Sequence, residues 1–347
     1  MLTSHWPKLL LLIALGMSIL LPVVVGLGEA LRAAFGILPA LGRHSFSVDA
    51  WQQLWQLPGL ISSLRLTLFS GFAATIMALA LAIFGSSWVY NISPKLFFLD
   101  KLKPLMQFIM VPVLAAPHAA IAIGLAFLIA PSGWLARWLS PWLTNWTLPP
   151  DWATVQDLWG LSLTLGLVIK ELPFLWLVCL VALKQINVSK QMSLAQSMGY
   201  SHSLAWRKII IPQLYPLIRL PVMVVLVYAL STVDMAQILG PNNPPTLALV
   251  ALRLYTDANV QMLLPASAAA ISLAMLMVMS ILLWEMSVRG LMLVNKVSIR
   301  SGERASKWTL LGTILTTALP ISFLLGLLSL LVLAIWSITW RWSFPEA

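Results

Sequence analysis

Seven long, uninterrupted apolar runs determine what this chain can fold into. They lie near residues 9–28, 66–88, 106–130, 159–183, 215–237, 264–286 and 309–337. A helix needs about 20 predominantly apolar residues to cross a bilayer, whereas a membrane barrel would show strictly alternating strands of about 10 residues. Only helices and closed barrels satisfy the backbone in hydrocarbon. The runs therefore predict an all-α membrane protein, a polytopic bundle of about seven transmembrane helices.

The composition excludes several other classes of protein. Hydrophobic residues make up 60% of the 347 residues and charged residues only 9%, against about 25% charged in an ordinary globular domain. So few charges cannot cover the surface of a soluble protein of this size. A lone cysteine, Cys179, excludes an internal disulfide. A soluble enzyme, a disordered regulator and a disulfide scaffold are all inconsistent with these numbers.

The net charge of +10 could indicate a nucleic-acid partner, but the positions of the basic residues indicate a membrane topology. With the N-terminus inside, 14 lysines and arginines fall on the inner side and 5 on the outer side. Such a bias marks the cytoplasmic side of a membrane protein. We therefore expect a cytoplasmic N-terminus and no nucleic acid. The inner residues are Lys8, Lys95, Lys101, Lys103, Lys184, Lys190, Arg207, Lys208, Arg219, Arg289, Lys296, Arg300, Arg304 and Lys307.

The cytoplasmic segment 190–212 predicts a short helix–turn–helix at the membrane surface. Gly199 suits the position just after a helix, and Ser203 could cap a second helix. Pro212 predicts the next break. Small and apolar residues spaced by three or four fall on one helical face. These are Met192, Ala195, Met198 and Gly199.

This segment resembles the "EAA" loop in the membrane subunits of ATP-binding-cassette (ABC) importers. The family pattern is Glu-Ala-Ala, three residues, Gly, nine residues, Ile, one residue and Leu-Pro. The spacing from glycine to isoleucine to proline is met in full, while serine, leucine and isoleucine replace the motif's Glu, first Ala and Leu. The matching positions are Ser193, Leu194, Ala195, Gly199, Ile209 and Pro212.

The resemblance implies the permease fold of type I ABC importers and a set of partners. An ABC ATPase dimer would contact segment 190–212, a periplasmic or extracellular solute-binding protein would deliver the solute, and a second permease half would complete the pathway. A helix of small residues followed by glycine can lie close to a partner and transmit a rigid-body movement. The chain has no GxxxxGK[ST] sequence, so ATP would be bound by a separate subunit and no cofactor by this chain. The location implied is the bacterial inner membrane.

Three further segments, 117–120, 170–173 and 234–246, are similar to the first half of fused permeases of the thiamine and ferric-iron type. The similarity implies a first span and outer loop in residues 1–60, a core of five spans in 61–290, and a linker and seventh span in 291–347. The first span is longer than the 7–15-residue core of a signal peptide, so we interpret it as a retained anchor. An Arg-x-Ser-Phe sequence follows both the first and the last span, beginning at Arg43 and at Arg341. The seventh span is therefore expected to open a truncated second half.

Three ionisable residues inside predicted spans are candidate pathway residues, because charges in hydrocarbon are rare. Lys170 and Glu171 lie near the middle of span four, next to Pro173, and His118 lies in span three. They line the pathway, or they form structural pairs with another span. Neighbours in a helix point about 100° apart, so Lys170 and Glu171 cannot face each other. No second His or Cys lies at ligand spacing, so no metal site is predicted.

A turn-rich stretch after span five predicts an outer gate or a docking surface for a binding protein, with simple helix termination as the alternative. Its residues are Asp234, Gly240, Pro241 and Pro244. The sequence thus predicts a transport protein with no catalytic residues, the permease subunit of an ABC importer. The alternative is an ion-coupled secondary transporter or a channel without an ATPase. The solute stays open among thiamine, ferric iron, polyamines and small anions.

Overall fold

The computed structural model describes residues 6–90, 103–300, 302, 304, 309–340 and 343–344. Across these residues the chain forms fourteen α-helices, and its β-structure is limited to one isolated bridge between Leu38 and Arg43. The helices are α1 (Trp6–Ala34), α2 (Asp49–Gln56), α3 (Leu60–Val89), α4 (Lys103–Ala115), α5 (His118–Ile129), α6 (Trp134–Leu139), α7 (Leu161–Leu183), α8 (Val188–Ser197), α9 (His202–Ala205), α10 (Ile211–Ser231), α11 (Asp234–Leu239), α12 (Leu247–Tyr255), α13 (Leu263–Arg300) and α14 (Thr309–Ile338).

Seven helical stretches in the described part of the chain are long and apolar enough to cross a membrane. The predicted all-α bundle with seven spans is therefore confirmed. Each stretch overlaps one predicted run, although several extend further than predicted. They are Leu9–Ala34, Leu60–Val89, His118–Leu139, Leu161–Leu183, His202–Ser231, Val260–Arg300 and Ile314–Ile338.

Two predicted spans are interrupted helices. The run at 106–130 divides into α4 and α5 at Pro117, which lacks the N–H that would bond to the carbonyl four residues earlier. The run at 215–237 ends at Ser231, and Thr232 is extended before α11 begins. Pro173, in contrast, lies inside a continuous α7. It therefore does not break that helix.

The main core is built around α3, which packs against α7, α10 and α14. Its contact side carries Ala74, Ala78 and Ala82, spaced by four residues and all buried. Small side chains at this spacing let helices approach closely, which is the usual way in which membrane helices gain packing energy. The position of α3 thus follows from a stripe of alanine.

The seventh span, α14, packs on the body formed by the earlier spans, against α3, α4, α5 and α7. A Cβ atom added at Gly124 of α5 would overlap the backbone carbonyl of Ser329 in α14. The two backbones are therefore nearly in contact. Whether α14 also opens a second half stays a prediction.

A second cluster of buried residues joins α2, α12 and α13 with the end of α1. Most apolar side chains of α1 are exposed in the chain. The α13 helix continues through the predicted boundary at residue 290 and ends at Arg300, because Gly290 alone does not interrupt a helix. Of the predicted Arg-x-Ser-Phe repeat at Arg341, the structure describes Ser343 and Phe344, and the rest lies outside the described residues.

Candidate functional site

The predicted turn after α8 has the geometry of a Schellman motif. Gly199 has φ +85°, the left-handed conformation that glycine adopts without strain. Its N–H donates to the carbonyl of Gln196 at 2.8 Å, and the N–H of Tyr200 donates to the carbonyl of Ala195 at 3.0 Å. Both bonds satisfy carbonyl groups at the end of α8. The prediction that Gly199 follows a helix end is confirmed.

The α8 helix has one buried side and one exposed side. Met192 and Ala195 are buried, whereas Ser193 and Leu194 are exposed, and Leu194 leaves 56% of its surface free. Met198, predicted on the same helical face as Met192 and Ala195, is exposed, and α8 ends just before it. The exposed side offers a surface that another protein could contact.

The second half of segment 190–212 runs directly into a span. Its helix begins after Ser201, so the prediction that Ser203 caps it is wrong. One π-helical turn, Trp206–Ile210, then connects to α10. Ile209 is half-buried, and Pro212 lies in the first turn of α10, where its fixed φ favours a helix start. Pro212 therefore begins a helix and does not mark a break.

A buried lysine replaces the hydrogen bonds that Pro117 removes from the third span. Lys170 of α7 donates from Nζ to three carbonyl oxygens at the end of α4, those of Val113 at 3.1 Å, Leu114 at 2.8 Å and Ala116 at 2.6 Å. The Val113 carbonyl would otherwise receive the N–H of residue 117, which proline lacks. The positive charge also lies at the negative end of the helix dipole. Lys170 thus makes the interrupted helix tolerable in hydrocarbon.

The neighbouring carboxylate reaches the other side of the same break. Glu171 Oε1 lies 3.1 Å from Nε2 of His118, the first residue of α5. The His118 ring also lies against the ring of Tyr228 in α10, with centroids 4.3 Å apart. The His118 side chain is 30% exposed, while that of Glu171 is 11% exposed. The three side chains therefore form a half-open polar cluster between α5, α7 and α10.

These contacts bring together all three ionisable residues predicted inside the spans, and they do so at one break. Lys170 and Glu171 point to different partners, in agreement with the 100° between neighbouring residues. The contacts show the structural pairing that the sequence left open, and the role of these residues in a pathway stays a prediction. Lys170 is enclosed by backbone carbonyls, whereas His118 and Tyr228 are partly open.

The stretch after span five, residues 234–244, forms a short helix followed by a tight loop. Asp234 is the exposed first residue of α11, Gly240 ends that helix, Pro241 is buried, and the bond before Pro244 is cis. A Cβ atom on Gly240 would lie 2.6 Å from the carbonyl oxygen of Ala236, so the close turn requires glycine. The loop is thus shaped by packing and by a helix end.

An open cavity of about 440 Å³ lies beside this loop, between the start of α3 and α12. Arg253 donates to the backbone and side-chain oxygens of Asn242 at 2.9 and 3.1 Å. The Asn242 amide donates to Gln156 at 2.8 Å. The cavity is lined by Leu57, Pro58, Leu60, Ser63, Asn242, Asn243, Pro245, Val250, Arg253 and Leu254.

Sequence reasoning missed Tyr228, Arg253 and a second buried lysine, Lys208, which is taken up below. No periodicity or motif distinguishes these residues, since each gains its role from a partner distant in sequence. The pair Arg207-Lys208 before a span is visible in the sequence, but the burial of Lys208 is not. No group of three metal-ligating side chains occurs among the residues that the structure describes.

The chain resembles known transport proteins in sequence and in fold, although no model of a known protein family matches it. It is 29% identical over 304 residues to the inner membrane ABC transporter permease protein YnjC of Escherichia coli strain K12. The match covers 86% of this chain and 54% of YnjC, so the chain spans about half the length of this curated relative.

Two crystal structures share the fold. One is of a bacterial ABC transporter involved in the import of the acidic polysaccharide alginate, with a TM-score of 0.62, 17% identity, and coverage of 82% of this chain and 94% of that chain. The other is of a bacterial alginate ABC transporter in complex with an alginate pentasaccharide-bound periplasmic protein, with a TM-score of 0.55, 18% identity, and coverage of 80% and 91%. At such low identity the likeness concerns the fold alone.

Proposed function

We propose that this chain is the permease part of an ABC importer in a bacterial inner membrane, with its N-terminus in the cytoplasm. The observation that carries the proposal is the 29% identity to YnjC over 304 residues, because this match runs through the spans and segment 190–212 alike. The chain forms the solute pathway, and a separate ATPase binds and hydrolyses ATP. It is a transport component and catalyses no reaction itself.

The geometry of segment 190–212 supports this function. Its first helix, α8, is exposed on one side and ends in a rigid Schellman turn at Gly199. The second part continues without a break into α10. A push on α8 would therefore be transmitted to a span as a rigid-body movement. An ABC ATPase dimer is the partner that the resemblance assigns to this surface.

Two further partners belong to the proposal. A solute-binding protein would dock at the outer face near Asp234, Gly240, Pro241 and Pro244. The second solved structure supports such a partner, since it is a complex of a transporter with a periplasmic protein. A second permease half, fused, separate or a second copy, would close the pathway. The solute is not part of the proposal, since the alginate of the solved structures is a property of those proteins.

The proposal is tested by co-expressing the chain with an ATPase encoded by a neighbouring gene. We expect the two to purify together and the reconstituted complex to hydrolyse ATP. Solutes held by a neighbouring binding protein should be taken up when ATP is supplied, and ionophores should leave the uptake unchanged. Uptake that needs an ion gradient and no ATPase would establish the alternative, an ion-coupled transporter or a channel.

A substitution at Gly199 tests the contact with the ATPase. Valine at φ +85° is strained, since a left-handed residue with a side chain costs about 1–2 kcal/mol and a β-branched one costs more. We expect Gly199→Val to weaken co-purification about tenfold. Gly199→Asn is the matched control, because asparagine tolerates this conformation. Equal binding by both variants would show that the turn does not form the contact.

The half-open cluster at Glu171 is proposed as part of the pathway. Glu171→Gln keeps the size of the side chain and an oxygen that can accept from His118. We expect unfolding in detergent to change little and ATP-driven uptake to fall roughly tenfold, which corresponds to 1.4 kcal/mol. A parallel loss of stability and uptake would assign the residue a structural role instead.

A further inference from the structure

A second buried lysine ties segment 190–212 to the last turn of α13. Lys208 is only 2% exposed, and its Nζ donates to the carbonyl oxygen of Ser298 at 2.6 Å. Ser298 lies two residues before Arg300, in the last turn of α13. A cation at this position also complements the helix dipole. Lys208 is therefore a side-chain cap for α13.

Two more contacts join the same two parts of the chain. The side-chain amide of Asn295 donates to the Lys208 carbonyl at 3.4 Å. Beyond α13, the carbonyl of Arg304 accepts from the N–H of Ser201 at 2.9 Å. The Arg304 side chain runs beside the turn, since a Cβ atom on Gly199 would lie 3.4 Å from its Cδ. The contacts thus extend from the Schellman turn to the start of α10.

Segment 190–212 is therefore joined to two helices. One is α10, which continues from the segment along the chain. The other is α13, which the segment reaches through the contacts described above and which packs against α1, α2, α10 and α12. Separating the two parts is costly, because the buried Lys208 ammonium would lose its hydrogen bond to the Ser298 carbonyl. The segment and the end of α13 should therefore move together.

We propose that Lys208 is a positioning residue that couples segment 190–212 to α13, so that an ATPase acting on α8 moves α10 and α13 as one body. This inference rests on the proposed function for the ATPase. It adds a residue outside the pattern positions Ser193, Leu194, Ala195, Gly199, Ile209 and Pro212. It also predicts that charge at residue 208 matters although the residue is buried and cannot meet a partner.

The test uses two spin labels on the full chain, with Cys179 replaced by alanine. The labels are placed by Ser197→Cys on α8 and Leu293→Cys on α13, both at exposed positions. Lys208→Met removes the ammonium group but keeps the apolar stem. In the absence of the ATPase, we expect Lys208→Met to broaden the distribution of distances between the two labels. Lys208→Arg, which keeps a buried cationic donor, should restore a narrow distribution.

In complex with the ATPase, trapping with ATP and vanadate should leave the distance between the two labels unchanged in the labelled chain that keeps Lys208, called the parent. It should change the distance by more than about 5 Å, one helical turn, in Lys208→Met. Lys296→Met, which removes an exposed cation from the same end of α13, is the matched control and should behave like the parent. The amount of co-purified ATPase should be the same for all variants.

The outcomes separate this inference from the proposed function. Failure of the parent to bind any ATPase overturns the proposed function, and the coupling role with it. Normal binding with an unchanged distribution in Lys208→Met overturns the coupling role alone. If Lys208→Met does not fold, Lys208→Gln removes the charge but keeps a side-chain N–H donor. We then expect broadening from Lys208→Gln that Lys208→Arg does not show, and equal distributions for these two variants overturn the coupling role.

Discussion

Replacing Lys170 with methionine will lower the free energy of unfolding by about 3 kcal/mol, because carbonyl oxygens at the end of α4 lose their only charged donor. Each unsatisfied buried polar group costs about 1–3 kcal/mol, and three oxygens accept from this ammonium. Methionine has nearly the same length and fills the same space, so packing changes little. The loss therefore reports on the hydrogen bonds.

The measurement is unfolding in mixed micelles by added SDS, followed by tryptophan fluorescence, since the chain has 17 tryptophans. Lys184→Met is the matched control, because Lys184 is exposed at the end of the same helix. We expect the control to change stability by less than about 0.5 kcal/mol. Equal stability of both variants would mean that Lys170 acts only in the pathway and that water or backbone adjustment satisfies the break.

Gly124→Ala is expected to have a comparable effect through packing alone. The added methyl group would overlap the backbone carbonyl of Ser329, which no side-chain rotation can relieve. The α5 and α14 helices must then move apart, and overpacking of a core costs about 1–3 kcal/mol. We expect the free energy of unfolding to fall by about 3 kcal/mol in the same SDS titration, because α14 no longer packs closely on α5.

The control for this prediction is Gly16→Ala in α1, where an added Cβ atom meets nothing within 4 Å. Alanine favours a helix over glycine by about 1 kcal/mol, so this variant should be neutral or slightly more stable. A loss of stability from Gly124→Ala and a small gain from Gly16→Ala would show that α14 packs against α5 as described. A stable Gly124→Ala variant would contradict that arrangement and place α14 elsewhere.

Segment 190–212 shows how far pattern reasoning reaches. Gly199 could be placed after a helix because the left-handed conformation is a local property of one residue. Ser203 was misplaced as a cap because the choice between two nearby serines depends on where the second helix packs. Helical periodicity places Met198 on the face of Met192 and Ala195, but periodicity does not show that the helix ends there.

The membrane bundle and its number of spans follow from the sequence, because the apolar length needed to cross hydrocarbon is a property of each segment alone. Proline by itself does not locate the break in the third span, because Pro117 and Pro173 both lack a backbone donor, yet α7 is continuous through Pro173. The hydrogen-bond partners of the two buried lysines likewise cannot be predicted from the sequence. Lys170 meets carbonyls 54–57 residues away, and Lys208 meets one 90 residues away. Such pairs exist only after the helices have packed, since the unpaired carbonyls become sites for a cation when another helix approaches them.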